Sequence, residues 1–278
     1  MPIARVNGVE LHYEESGTGF PLVWSHEFGG DHRSWEPQVR HFARRYRVIT
    51  YNHRGYPPSE VPKDPAAYSQ DILVEDLRQL LRALGVEQAH VGGLSMGANV
   101  ALNFALAHPA MTRSLIVAAC GSGTSDRERF LAQQGALADA LERDGMAALV
   151  RSFESRGTRR AFAAKDPRGW AEFVRHVTEH DAQACAHLIR GVQMRRPTIA
   201  ELEPRLRTIQ APTLVMIGDQ DEPCVEPALI MQRSIPGAGL VVLPMSGHTI
   251  NIEEPLVFNL HVETFLAAVE QRRWVVGR

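Results

Sequence analysis

The pentapeptide Gly93-Leu94-Ser95-Met96-Gly97 constrains the fold of this chain more than any other feature. A short apolar run, Ala89-His90-Val91, precedes it, and a helix-forming run, 98–107, follows it. Glycines two residues before and two residues after the serine leave room for a strained, sharply turning backbone. Such a turn lifts the Ser95 hydroxyl above the sheet, at the positive end of a helix dipole. The motif therefore predicts a strand, a tight turn that carries a nucleophilic serine, and a helix.

The rest of the sequence alternates between strand patterns and helix patterns. This alternation favours an α/β fold with a mostly parallel, doubly wound sheet that helices cover on both faces. In such sheets the functional residues lie at the carboxyl ends of the strands. We predict strands at 3–6, 9–13, 21–25, 47–51, 89–94, 114–119, 213–217 and 240–243, and helices at 35–46, 68–84, 98–107 and 255–272.

Residues 121–206 differ from the flanking sequence, because strand patterns disappear and several helical stretches replace them. A block of about eighty residues is too long for a simple connection between strands. We predict that it forms a helical cap over the carboxyl ends of the strands, inserted before the acid-bearing strand. Residues 1–120 and 207–278 then form the core. The apolar candidates for lining a pocket under the cap are Phe153, Phe162, Trp170, Phe173 and Met194.

Two late segments supply the partners that a catalytic serine needs. A serine hydroxyl is a weak nucleophile at neutral pH and requires a base, which an acid must orient. Asp221 lies in a turn directly after the strand at 213–217, and His248 follows the next strand. The chain order Ser95, Asp221, His248 therefore predicts a nucleophile, an acid and a base.

Together these segments give the chain a resemblance to the α/β-hydrolase fold family over nearly its whole length. The matching segments occur in family order: the turn His26-Glu27-Phe28-Gly29-Gly30, Arg54-Gly55, the Ser95 turn, Gly218-x-x-Asp221 and Gly247-His248. The resemblance implies a catalytic Ser95–His248–Asp221 triad and an oxyanion hole formed by the backbone N–H groups of Phe28 and Met96. The segment after His248 resembles the branch of enol-lactonases and cofactor-free perhydrolases.

The resemblance also ranks alternative residues for the acid and the base. The family pattern places the acid third after the glycine, which favours Asp221 over Asp219, and Asp126 is a third option. His26 and His108 match positions where the family has structural histidines that hold turns.

Glu27 departs from the family pattern, which usually has glycine after the histidine of the oxyanion turn. An ionised carboxylate about 6 Å from the oxyanion would repel it by about 3 kcal/mol at an effective dielectric constant near 20. We expect the side chain to point away from the oxyanion, toward a cation such as Arg54 or Arg33. A solvated surface glutamate is the alternative.

The predicted activity is hydrolysis of carboxylic esters or lactones through an acyl-enzyme intermediate, with no cofactor and no catalytic metal. Two alternatives use the same triad, namely hydrolysis of carbon–carbon bonds and cofactor-free perhydrolysis. Relatives that hydrolyse carbon–carbon bonds often have tryptophan after the catalytic histidine, and Thr249 disfavours that option. A ligand-sensing protein with slow turnover is an alternative of another class.

One segment, His176-Val177-Thr178-Glu179-His180, matches a zinc motif in which two histidines share a helical face. No further ligand accompanies it in the sequence. We therefore predict a solvated face of the cap instead of a metal site.

Composition limits the partners. The chain has 30 basic and 32 acidic residues, and no block of like charge suggests nucleic acid or an anionic membrane. The most basic patch, 156–160, is predicted to be a solvated helix end. The start lacks a signal-peptide pattern, no apolar run spans a bilayer, and three widely spaced cysteines indicate reduced thiols. We predict a cytoplasmic protein with a small-molecule substrate and leave its oligomeric state open.

Overall fold

An eight-stranded sheet runs through the centre of the computed structural model, which describes residues 2–275. The strand order is β1-β2-β4-β3-β5-β6-β7-β8. Strands β1 and β2, and β2 and β4, pair antiparallel, and all other neighbours pair parallel. The strands are β1 (Ile3–Val6), β2 (Val9–Ser16), β3 (Phe20–Ser25), β4 (Tyr46–Tyr51), β5 (Ala89–Leu94), β6 (Thr112–Ala118), β7 (Thr213–Gly218) and β8 (Gly239–Leu243).

Helices connect the strands and flank the sheet. Among the residues that the structure describes, no helix has the length and apolar content needed to cross a membrane. The helices are α1 (Glu36–Phe42), α2 (Gln70–Ala83), α3 (Met96–Ala107), α4 (Arg127–Asp144), α5 (Ala147–Arg156), α6 (Arg160–Lys165), α7 (Pro167–Thr178), α8 (Ala182–Leu188), α9 (Ile199–Leu206), α10 (Glu222–Ser234), α11 (Ile250–Glu253) and α12 (Pro255–Glu270).

The predicted α/β class and doubly wound, mostly parallel sheet are confirmed, and each predicted strand is present. Helix α10 was not predicted, and among the predicted helices the one expected at 35–46 differs most. A 3₁₀ turn, His32–Trp35, precedes α1, which ends at Phe42. The chain leaves the helix there because Tyr46 already pairs with Phe20 as the first residue of β4. The spacing of hydrophobic residues did not predict where the helix ends and the next strand begins.

The sheet separates two hydrophobic clusters, which explains why its strands are almost continuously apolar. One cluster contains residues of α2 and α3, and the other contains residues of α1 and α12. Trp24 of β3 stacks on Trp35 in the second cluster, with ring centroids 4.5 Å apart. Both indole rings are fully buried. Packing on both faces leaves the strand ends as the places where polar side chains can gather.

Helices α4–α9 lie between β6 and β7, and no strand interrupts them in this part of the described chain. Two contacts place this helical segment against loops that follow strand ends. The Phe153 ring of α5 lies against Gly29, after β3. The Thr158 carbonyl accepts a 2.8 Å hydrogen bond from the His248 amide, after β8. The assignment of 121–206 as a separate cap domain stays a proposal.

A buried ion pair fixes the loop that follows β4. Arg54 Nε and Nη2 donate to the two carboxylate oxygens of Asp76 in α2, at 2.7 and 2.6 Å. Asn7 Nδ2 donates a third hydrogen bond to Asp76, at 2.8 Å. The exposed fractions of the Arg54 and Asp76 side chains are 5% and 0%. The pair therefore joins the loop after β4, helix α2 and the β1–β2 turn.

We predict that Asp76→Asn lowers the free energy of unfolding by about 3–5 kcal/mol, because it leaves the Arg54 guanidinium buried without a counter-charge. Urea denaturation measures the change. Glu75→Gln is the matched control, since the Glu75–Arg78 pair is partly exposed and its loss costs at most about 1 kcal/mol. Equal losses in the two variants would contradict the assigned role of the buried pair.

Candidate active site

Ser95 occupies the strained turn that its glycines predict. Its backbone angles are φ 55° and ψ −109°, a conformation that non-glycine residues rarely adopt. A Cβ atom at Gly93 would collide with the backbone of Gly97, and one at Gly97 would collide with the Ser25 carbonyl. The Ser95 amide donates to the Ala118 carbonyl of β6 at 2.9 Å. The turn is thus wedged between β3, β6 and the start of α3.

Asp221 and His248 meet at the same edge of the sheet. His248 Nδ1 lies 2.7 Å from Asp221 Oδ2, and the exposed fractions of these side chains are 14% and 1%. Because a carboxylate can only accept, Nδ1 carries the proton and Nε2 keeps a lone pair. An imidazole oriented in this way can act as a general base.

The two alternative acids have other partners. Asp219 Oδ1 accepts from the Ser246 amide at 3.1 Å and so holds the loop that carries His248. Asp126 is the N-cap of α4 and accepts from the Arg129 amide at 2.9 Å. Of the three aspartates considered, Asp221 is the one hydrogen-bonded to His248.

The His248 loop is fixed from two sides. Gly218 permits close approach on the core side, because a Cβ atom there would collide with the carbonyl groups of the Ser246–Gly247 segment. Glu253 Oε2 accepts from the Gly247 amide at 2.9 Å, and Lys165 of α6 pairs with Glu253 at 3.1 Å. Glu253 and Lys165 were not predicted as positioning residues, because they match no motif and meet only in the folded chain.

The contact between base and nucleophile is not made in this structure. Within residues 2–275, the Ser95 hydroxyl has no hydrogen-bond partner. The structure brings the acid to the base, and it places the serine after β5 at the same edge of the sheet. Hydrogen bonds between a catalytic base and its nucleophile are often long without substrate and shorten in the Michaelis complex.

The turn after β3 is held by His26, as its match to a structural histidine predicts. His26 Nδ1 donates to the Glu27 carbonyl at 2.8 Å, and His26 Nε2 accepts from the His53 amide at 3.0 Å. Burial lowers the pKa of His26 to about 3, so the ring remains neutral and can accept at Nε2. The Gly29 amide donates to the Tyr56 hydroxyl at 3.1 Å. Each of these bonds restricts the backbone around Phe28.

The two amides expected to form an oxyanion hole are available. Neither the Phe28 N–H nor the Met96 N–H has an acceptor among the described residues. Met96 is the first residue of α3, where N–H groups lack intrahelical acceptors and the helix dipole is positive. Unpaired donors at these two positions are consistent with the expected oxyanion hole.

The expected cation partners of Glu27 were wrong. Arg54 pairs with Asp76, and Arg33 pairs with Asp31 and Glu179. The alternative of a solvated glutamate is also wrong, because Glu27 is completely buried. Its carboxylate folds back over Gly30 and accepts from the Ser34 hydroxyl at 3.1 Å. The expectation failed because Arg54 pairs with Asp76, which is distant in sequence, and Arg33 pairs with its neighbour Asp31.

A different cation, Arg159, acts on Glu27. Desolvation raises the pKa of the Glu27 carboxyl, and the positive charge of Arg159 opposes that rise. Desolvation lowers the pKa of Arg159 to about 10, against the attraction of Glu27 and Asp221. Arg159 is 6% exposed, and its guanidinium stacks 3.9 Å from the centroid of the Phe153 ring. The prediction of a solvated basic patch at 156–160 is therefore wrong for Arg159.

The aromatic candidates for the pocket form one cluster beneath Arg159. Phe173 is central, with its ring centroid 6.0 Å from Phe153, 6.2 Å from Phe162 and 5.8 Å from Trp170. Met194 lies elsewhere in the helical segment, against Gly135. The cluster forms an apolar surface of helices α5–α7, and its Phe153 ring lies against Gly29.

The zinc motif at 176–180 does not bring its histidines to one solvated face. His180 is buried, with Nε2 3.9 Å from Asp31, so the predicted solvated face is wrong for this residue. His176 contacts Arg175 instead.

Near the triad, Cys224 lies beside Asp221 and His248. Burial raises the pKa of the Cys224 thiol well above its ordinary value.

The substitution Glu27→Gln removes the charge of the buried carboxylate and keeps the shape of the side chain. Burial raises the pKa of Glu27, so the folded state binds this proton more tightly than the unfolded state. The stabilisation is complete below the ordinary value of 4.5 and is lost as the pH rises toward the folded-state pKa. We expect the Tm of Glu27→Gln to rise relative to wild type between pH 4.5 and 8.

Thermal unfolding across that range checks this expectation, with exposed Glu36→Gln as the control. Turnover of an ester substrate should stay within tenfold of wild type, since the carboxylate faces Ser34. A tenfold or larger gain in turnover by a folded variant would mean that Glu27 does repel the oxyanion.

Comparisons with known proteins agree with this architecture. A family model described as alpha/beta hydrolase fold matches residues 21–255. The chain is 29% identical to a candidate carbamate hydrolase from Azorhizobium caulinodans. The alignment spans 279 residues and covers 98% of this chain and 100% of the relative. It is also 29% identical to 3-oxoadipate enol-lactonase 1 from Acinetobacter baylyi. That alignment spans 250 residues and covers 90% of this chain and 89% of the enzyme.

The crystal structure of the enol-lactonase from Burkholderia xenovorans LB400 is similar throughout, with a TM-score of 0.86 and 27% identity. The match covers 96% of this chain and 100% of that one. These relatives are hydrolases and support a hydrolase activity here. Since the family model spans most of the sequence, and the sheet, the strained serine turn and the acid–base pair occur in the family order, this chain belongs to the α/β-hydrolase fold family.

Proposed function

We propose that this protein is a serine hydrolase that cleaves carboxylic esters or lactones through an acyl-enzyme intermediate. The observation that carries the proposal is the 2.7 Å contact between Asp221 and His248 at the sheet edge that also presents Ser95. The acceptor-free amides of Phe28 and Met96 add the electrostatic part of the site. Together they supply an oriented base, a nucleophile on a strained turn and oxyanion donors.

In the proposed reaction, His248 Nε2 takes the Ser95 proton while Ser95 Oγ attacks the carbonyl carbon. The Phe28 and Met96 amides stabilise the oxyanion, and Asp221 stabilises the imidazolium. The imidazolium then protonates the alcohol oxygen as the ester bond breaks. A water molecule, deprotonated by His248, attacks the acyl-enzyme and releases the acid. In a lactone, the oxygen released by ring opening stays tethered to the acyl chain, so the last step releases a single ring-opened acid.

The relatives favour this reaction class over the alternatives. One is named an enol-lactonase, another is a candidate carbamate hydrolase, and both names describe attack on an acyl carbon. Carbon–carbon hydrolysis and perhydrolysis would use the same triad, so they remain second choices without an observation that favours them. A ligand-sensing protein with the same fold would differ from the proposed hydrolase in its slow turnover of substrate.

We further propose that residues 121–206 act as a cap that shapes the substrate pocket. Phe153 presses on Gly29 in the oxyanion turn, and the Thr158 carbonyl holds the His248 amide. The segment thus touches both the oxyanion turn and the base. Arg159 and the aromatic cluster beneath it give this cap both a charged and an apolar contact surface.

We predict that Ser95→Ala lowers kcat for short-chain aryl esters by at least about 10⁴-fold, because the acyl-enzyme can no longer form. The matched control is Ser125→Ala, since Ser125 is exposed and pairs with Glu226 at the surface. A fluorophosphonate probe should label wild type and the control, but not Ser95→Ala. Full turnover by Ser95→Ala would contradict the proposed nucleophile.

A substrate panel separates the alternatives. Esters and lactones should turn over repeatedly, with kcat between about 1 and 1,000 per second. A single turnover per chain would indicate a sensor. Peroxyacid formation that outpaces hydrolysis when hydrogen peroxide is added would indicate a perhydrolase.

A further inference from the structure

A second group of polar side chains lies on the far side of the oxyanion turn, away from the triad. His12 and Glu14 project from β2, and His32 begins the 3₁₀ turn. His32 Nε2 is 3.4 Å from Glu14 Oε1, and His12 Nε2 is 4.0 Å from the same oxygen. One ligand atom from each of the three residues lies within 4.8 Å of the others.

His12 is the unexplained member of this group. It is completely buried, and neither of its ring nitrogens has a hydrogen-bond partner among the described residues. A buried polar group without a partner is destabilising, because it has lost its hydrogen bonds to water. The His12 ring instead lies edge-on to the His32 ring, with centroids 4.6 Å apart. The Nε2 atoms of both rings lie within 4.0 Å of the same Glu14 oxygen.

His32 is oriented as a metal ligand usually is. Its Nδ1 lies 2.8 Å from Asn52 Oδ1, which can only accept, so the proton sits on Nδ1. The same oxygen accepts from the His32 amide at 2.9 Å. Nε2 therefore carries a lone pair, and it points toward Glu14. A second hydrogen bond that fixes the tautomer is typical of metal-bound histidines.

We propose that His12, Glu14 and His32 form a binding site for a divalent transition-metal cation, of which Zn²⁺ fits the donor set best. Zinc binds two imidazole nitrogens and a carboxylate oxygen at about 2.0–2.2 Å in tetrahedral geometry, which places ligand atoms about 3.4 Å apart. The His32–Glu14 distance already equals this spacing. The Glu14 side chain is 47% exposed, so it can move closer to His12 and admit the ion from solvent. Water would complete the coordination.

The negative charge of the proposed site comes from Glu14. Asp31 Oδ1 lies 3.9 Å from His32 Nδ1, but the ion pair with Arg33 offsets the Asp31 charge. Arg33 is held by Asp31 and Glu179 and does not pair with Glu14. A bound ion would join β2 to the turn that follows the oxyanion loop, two residues beyond Gly30. We therefore expect it to stabilise the fold without taking part in the reaction.

The test uses the full-length, tag-free protein after treatment with a chelator. Titration calorimetry with ZnCl₂ should give one site per chain, and zinc should raise the Tm in a way that EDTA reverses. Glu14→Gln and His32→Ala should each weaken zinc binding at least tenfold. His41→Ala is the matched control, because His41 pairs with a single carboxylate, Glu263, at 3.2 Å and should leave binding unchanged.

Glu14→Gln keeps the test valid if His32→Ala disturbs folding, since Glu14 is exposed. Its ester turnover should equal that of wild type when no zinc is added. Zinc binding that persists in both variants would overturn the proposal. So would binding lost only in His248→Ala, which would locate the ion beside Asp221 and Cys224.

Discussion

The strained backbone at Ser95 is the constraint on which the rest of the site depends. A residue with φ 55° is held there because three segments press on it, namely β3, β6 and the start of α3. Gly93 and Gly97 make that crowding possible, since a side chain at either position would collide with backbone atoms. The same geometry aims the hydroxyl out of the sheet and places the Met96 amide beside it. The proposed nucleophile and one of the two proposed oxyanion donors therefore depend on the same turn.

Buried charge is handled in two different ways in this molecule. Arg54 and Asp76 are fully paired, with two short hydrogen bonds, and they serve as a structural link. Glu27 and Arg159 influence each other's pKa, yet they form no ion pair within 4 Å. The site thus contains a buried carboxyl and a buried guanidinium that keep part of their hydrogen-bonding capacity. Such incompletely paired groups are common at functional sites and rare in structural cores.

The helical segment 121–206 does more than cover the strand ends. Its Thr158 carbonyl binds the His248 amide, and Lys165 supports Glu253, which in turn binds the Gly247 amide. The position of the base therefore depends on the segment proposed to select the substrate. A change of sequence in that segment can alter the geometry of His248 as well as the shape of the pocket.

The sequence by itself determined the α/β class, the order of strands and helices, and the positions of Ser95, Asp221 and His248 along the chain. It did so because strand and helix periodicities, glycines at crowded turns and the order of nucleophile, acid and base are local or linear properties. The preference for Asp221 over Asp219 followed from the resemblance to the family, whose pattern places the acid third after the glycine, and the contact with His248 supports it.

Only the tertiary structure decided which charged groups meet. Arg54 and Arg33 were the expected partners for Glu27, but Arg54 pairs with Asp76 of α2, and Arg33 pairs with its neighbour Asp31. The cation that acts on Glu27 is Arg159, the N-cap residue of α6, more than a hundred residues away. His12, Glu14 and His32 likewise match no motif, because β2 and the 3₁₀ turn approach each other only through the folding of the sheet. Pairings of this kind depend on distances across the fold, and a linear pattern does not contain them.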